Sequence, residues 1–97
     1  MNRNRIGDVA ELEATLYYLS QGYEVFPNTA SSGPIDLILV DTDTGSTRYI
    51  DIKSITEKNR REDGTFYMRS PTPLQQKLGV ELVGFLNGKP VETYRKD

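Results

Sequence analysis

The run Pro34-Ile35-Asp36-Leu37-Ile38-Leu39-Val40 plants one carboxylate in an otherwise apolar stretch, and Ile50-Asp51-Ile52-Lys53 repeats the arrangement beyond a polar turn. Runs this apolar, bounded by Gly33-Pro34 and by Asp41 to Ser46, predict strands over Ile35 to Val40 and Arg48 to Ile55. The first reads as a central strand covered on both faces. An aspartate inside such a strand is buried or nearly so, and an unpaired buried carboxylate costs several kcal/mol. The fold must therefore supply a cation, backbone N–H donors or a metal. Pairing of the two strands through the short turn brings Asp36 close to Asp51, and two carboxylates so placed repel unless a divalent cation neutralises them. On the second strand the side-chain period of two sets Asp51 and Lys53 on one face, about 7 Å apart. Taken alone, Asp-x-Lys is a common tripeptide and fits a solvated strand face with an ion pair better than a catalytic site.

The chemistry open to these groups is narrowed by what the chain lacks. Among its 97 residues there is no histidine and no cysteine. That excludes Ser-His-Asp and Cys-His dyads, disulfides, and thiolate or imidazole zinc sites. Acid–base work falls to carboxylates, lysine, tyrosine or metal-activated water. The length makes one small domain, 1–97. With no apolar run near the roughly 18 residues of a membrane span and a polar start, the expectation is a soluble, cytoplasmic protein with no membrane partner. A net charge of −2 argues mildly against a general nucleic-acid binder. Within residues 53–78, however, Lys53, Lys58, Arg60, Arg61, Arg69 and Lys77 outweigh Glu57, Glu62 and Asp63.

The remaining pattern predicts a helix from about residue 6 to 21 ended by Gly22, and a short strand at Tyr23 to Phe26. A polar loop spans 57–64 and a short strand 65–68. A short helix runs to about Leu78, with Thr72 as N-cap and Pro73 at its first position. Val80 to Leu86 is a strand, and Asn87-Gly88 a type I′ hairpin turn into Val91 to Tyr94, which Pro90 marks as an edge. The class is mixed α/β.

Two acids compete on the first helix. Val9, Leu12, Leu16 and Leu19 recur at helical spacing, and Glu13 lies nearer that stripe than Glu11 does. On periodicity alone, Glu13 is the buried acid. Ala10, Ala14, Thr15, Tyr17 and Tyr18 give the Glu11 side a second face, so a helix packed on both sides would accommodate either.

The order helical Glu, strand Asp, strand Asp-x-Lys resembles the PD-(D/E)xK nuclease superfamily, and within it the small archaeal-type Holliday-junction resolvases. Gly7 and Glu11 match the Gly-x-x-x-Glu that opens the first helix, and Gly22-Tyr23-Glu24-Val25 stands at the family's spacing from Glu11, which favours Glu11 over Glu13. Asp36, Asp51 and Lys53 match the remaining catalytic positions, although the proline before the strand acid stands at Pro34 with Ile35 between. Ala30-Ser31-Ser32-Gly33 is similar to the family's serine-containing loop. Phe66-Tyr67-Met68 followed by Gln75 or Gln76 is similar to its later strand and glutamine-bearing helix.

The resemblance implies a restriction-endonuclease-like mixed sheet flanked by helices, and a metal-dependent endodeoxyribonuclease. Glu11, Asp36, Asp51 and the Ile52 carbonyl would hold Mg²⁺, or Mn²⁺ in its place, with Lys53 beside the attacking water. Ser31, Ser32, Arg60, Arg61, Arg69 and Lys77 would contact DNA, which is expected to be branched and cut by a homodimer. Restriction-like, nicking and single-strand cleavage are alternatives within the same chemistry. A non-catalytic nucleic-acid-binding module that keeps the fold is the alternative outside it.

Overall fold

A computed structural model describes residues 3–30 and 32–94. Helix α1 (Arg3–Ser20) is followed by strands β1 (Glu24–Pro27), β2 (Leu37–Val40) and β3 (Thr47–Ser54). A 3-10 turn (Glu57–Asn59), strand β4 (Phe66–Tyr67) and helix α2 (Pro73–Leu78) then lead to β5 (Val80–Leu86), β6 (Lys89–Val91) and β7 (Thr93–Tyr94). The main sheet has the order β1-β2-β3-β5-β6, while β4 and β7 form a separate pair. Only the β3–β5 pairing in the main sheet is parallel, so the segment between them is a crossover that carries α2. The fold is thus a mixed α/β single domain, as expected. Among the described residues no helix is long and apolar enough to cross a membrane.

Local sequence explains most of the boundaries. Thr72 caps α2 by accepting from Gln75 N–H, Pro73 stands in the first turn, and Gly79 closes the helix in the left-handed region at φ 72°. Asn87 and Gly88, with φ of 52° and 79°, form the β5–β6 hairpin turn. Pro90 lies on β6, the edge strand, where a missing N–H is tolerated. The expected last strand is divided between β6 and β7, and the expected loop at 57–64 begins with the 3-10 turn.

Two expectations fail for the same reason. β2 lies inside the sheet, but only Leu37 and Leu39 are buried while Ile38 and Val40 are half-buried. It is covered by a helix on one face. The face of α1 that packs on the sheet is Ala10, Ala14 and Tyr18, with Tyr17 at its side, against Leu37, Leu39, Ile50, Ile52 and Phe85. Leu12 and Leu16 are 66% and 69% exposed, and Val9 and Leu19 are exposed with them. Small side chains let the helix axis approach the sheet closely, and edge-on rings of Tyr17 and Tyr18 against Phe85, both at 5.8 Å, fill the flanks. The hydrophobic stripe therefore points away from the core.

Candidate functional site

Antiparallel pairing of β2 with β3 ends at Leu37 opposite Ile50, so Asp36, which the sequence placed inside the strand, stands one residue before β2, with its carboxyl close to that of Asp51 on β3. The backbone here is tied by Asp36 N–H donating to Ile50 C=O at 2.8 Å. The Ile52 N–H in turn donates to Asp36 Oδ2 at 2.6 Å. The Asp36 carboxyl is pushed up to about 7, chiefly by burial and then by its hydrogen bond with Asp51. The charges of Asp51 and Glu11 add to this rise, while the Ile52 N–H opposes it.

Asp51 is only 5% exposed, and Gln75 at 3% is the other buried polar residue among those described. Asp51 Oδ2 accepts from Gln75 Nε2 at 2.7 Å and from Arg69 Nη2 at 3.1 Å, with Lys53 Nζ at 3.7 Å. Gln75 also donates to Pro34 C=O at 3.0 Å and accepts from Thr72 N–H at 3.0 Å. The capping of α2 and the positioning of Asp51 thus depend on one side chain. The Gln76 side chain donates instead to Pro71 C=O, so the structure separates the two glutamines that the sequence left open.

Glu11, Ser32, Asp36, Asp51, Ile52, Lys53, Arg69 and Gln75 line a cleft of about 510 Å³. Glu11 is pushed up by burial first, then by Asp8 and by Asp51. Glu13 lies across the other flank of α1, in a groove with Ile55, Phe85 and Asn87. There a Cβ on Gly88 would meet its Oε2 at 2.9 Å. The geometry therefore groups Glu11, and not Glu13, with the strand acids.

The structure places the expected site residues in different surroundings. Among the described residues no group of three acidic side chains closes around one point as a metal cage would, so the expected Glu11–Asp36–Asp51 ligand set is not assembled as it stands. Ile52, expected to act through its carbonyl, also ties the site together by donating its N–H to Asp36. Arg60 forks onto Glu57 at 2.7 and 2.9 Å and stacks 4.6 Å over Phe66. Arg61 faces Asp63 at 3.9 Å. Arg69 points into the cleft, and Lys77 is exposed in the last turn of α2 without lining it. Ser31 lies outside the described residues.

No protein-family model and no curated protein matches the chain. Among solved structures, a bacterial homing endonuclease, I-Ssp6803I, superposes with a TM-score of 0.52 at 21% identity, covering 68% of this chain. The match spans 42% of that longer chain. At this identity the likeness concerns the fold.

The donor chemistry of the cleft suits a hard divalent cation. With no histidine or cysteine in the chain, every available donor is oxygen. Asp36 and Asp51 offer two neighbouring carboxylates, and Glu11 lines the same cleft within electrostatic reach of both.

Proposed function

We propose that this chain is a metal-dependent endodeoxyribonuclease that hydrolyses DNA phosphodiester bonds. The observation that carries the reading is the Asp36–Asp51 pair, one acid at the entry to β2 and one on β3, with Lys53 on the Asp51 face of β3 and Glu11 across the cleft. A purely structural role gives no reason to crowd like charges in this way. The solved structure with the similar fold is titled a homing endonuclease, which agrees with DNA as substrate.

Asp36, Asp51 and Glu11, with the Ile52 carbonyl, would hold Mg²⁺ or Mn²⁺. When bound, the cation supplies charge stabilisation at the phosphate and a lowered pKa for the attacking water. Lys53 orients that water or stabilises negative charge developing at the phosphate. Ser32 at the cleft wall offers a hydroxyl to a phosphate oxygen, and Gln75 keeps Asp51 from rotating. Lys77 and the arginines at 60 and 61 would follow the DNA backbone outside the cleft.

Branched DNA as the preferred substrate rests on the match of Gly7, Glu11 and Gly22 to the resolvase pattern. A homodimer is supported by Val9, Leu12, Leu16 and Leu19, an exposed stripe at a 3-4-3 spacing that reads the same in both directions. Leu12→Gln with Leu16→Gln is expected to leave the monomer folded and to abolish any dimer in light scattering.

Cleavage of labelled four-way junction, duplex, flap and single-stranded DNA in Mg²⁺, against EDTA and Asp51→Asn, tests the reading. Metal-dependent cutting with preference for the junction is expected. Equal cutting in EDTA would sink the mechanism, and preference for another substrate would move the assignment to a restriction-like, nicking or single-strand enzyme.

A further inference from the structure

Asp51 Oδ2 is the most heavily used acceptor in the cleft. It receives Gln75 and Arg69 by hydrogen bonds of 2.7 and 3.1 Å, with the Lys53 ammonium at 3.7 Å. A carboxylate oxygen has about two lone-pair directions, so no further ligand fits at this atom until a donor leaves. The three donors are not equally free to go. Gln75 is buried and tied to Pro34 C=O and Thr72 N–H as well. Lys53 is held beside Asp51 by the strand itself. Arg69 stands in the irregular stretch between β4 and α2, its side chain is 45% exposed, and its other bonds are to Ser70 C=O at 3.0 Å and Gln75 Oε1 at 3.3 Å.

We infer that Arg69 is an exchangeable counter-ion for Asp51: its guanidinium occupies Oδ2, and a divalent cation takes this oxygen by displacing it. The inference rests on the metal-dependent reading above. With Arg69 seated, Oδ2 already faces a cation. Arg69 is thus more than a backbone-tracking residue, since it sets the threshold of cation occupancy. A half-exposed guanidinium also has somewhere to go, because water or a phosphate at the cleft mouth can take it.

Calorimetric titration of the full chain with Mn²⁺, without DNA, tests this directly. Charge-assisted hydrogen bonds are worth enough that Arg69→Ala and Arg69→Gln should each bind Mn²⁺ about tenfold more tightly than wild type. Lys58→Ala, which removes one exposed positive charge elsewhere, should leave the affinity unchanged. Near-ultraviolet circular dichroism in EDTA identifies the Arg69 variant that keeps the native fold, and either suffices. Saturable binding by wild type with no tightening in a folded Arg69 variant overturns the exchange alone. Equal tightening in Lys58→Ala overturns it too, by reducing the effect to net charge. Absence of Mn²⁺ binding in wild type and variants alike overturns the metal reading itself.

Discussion

Arg48 and Asp51 lie three residues apart on β3 and point to opposite faces of the sheet, and each is the hub of a polar cluster. Arg48 forks onto Glu81 of β5 at 2.9 and 2.8 Å and donates to the Tyr23 hydroxyl at 3.1 Å. Its guanidinium lies 5.8 and 5.7 Å from the rings of Tyr18 and Tyr23. One cation meets one anion with planar geometry on both sides, and the Arg48 pKa is raised chiefly by that hydrogen bond to Glu81. Asp51 instead shares its surroundings with Asp36 and Glu11, and cations from Lys53 and Arg69 converge on a single oxygen. Charge that is matched locally makes a brace between strands. Charge that is crowded makes a place waiting for something else.

If that contrast is right, substitutions at the two hubs should separate stability from chemistry. The largest expected effect is on turnover. Asp51→Asn and Glu11→Gln should each lower Mg²⁺-dependent cleavage by about two orders of magnitude or more, since both would hold the ion, while Glu13→Gln retains most of it. Single-turnover cleavage checks this, and activity lost from Glu13→Gln alone would reassign the helical acid. Arg48→Ala should act in the other direction. Removing the fork costs about 2 kcal/mol once its partial exposure is allowed for, or roughly 8–16 °C in Tm for a domain this small. Turnover below that temperature should stay close to wild type; a loss matching that of Asp51→Asn would erase the distinction.

The third effect is on pH. Asp36 rises from an ordinary 3.8 to about 7 in the folded protein, so between those values the native state binds more protons than the unfolded chain. The associated stability is fully present below pH 4 and is lost as pH rises through 7; Glu11, also raised, acts with the same sign. Metal-free protein should therefore melt lower at pH 8 than at pH 5. Asp36→Asn, which mimics the protonated form, should flatten this dependence and melt roughly 5 °C higher at pH 8. A profile that still falls as steeply in Asp36→Asn would place the titrating group elsewhere. The smallest effect belongs to the basic loop. Two free phosphate contacts would steepen the salt dependence of DNA binding by about two units, but Arg60 and Arg61 already face Glu57 and Asp63. Neutralising both should change the slope by clearly less, as binding isotherms over a salt series will show.

The strand acids were legible in the sequence because alternation along a strand is a strict geometric rule. Asp51 and Lys53 share the face of β3 that their spacing demands, while Asp36 comes to Asp51 from the residue just before β2. Glu11 was legible only through its distance from Gly7 and Gly22. Hydrophobicity pointed the wrong way on α1, since the buried face is set by close approach, which favours Ala10 and Ala14, and the larger Leu12 and Leu16 are left outside. Gln75 was half visible, as one of two adjacent glutamines. The contact of Arg69 with Asp51 was not visible at all, because it depends on how the crossover between β3 and β5 lies over the sheet.

That crossover also bears on the order in which the molecule forms. The β2–β3 hairpin closes through a short local turn and brings Asp36 to Asp51 at once. Arg69 and Gln75 reach Asp51 from 18 and 24 residues downstream, and only after a longer loop has closed to allow the parallel β3–β5 pairing. The acids thus meet with Lys53 beside them but before Arg69 and Gln75 arrive. A chain assembling in that sequence holds its acids with one neighbouring cation until the crossover closes, so the groups set aside for chemistry are completed last.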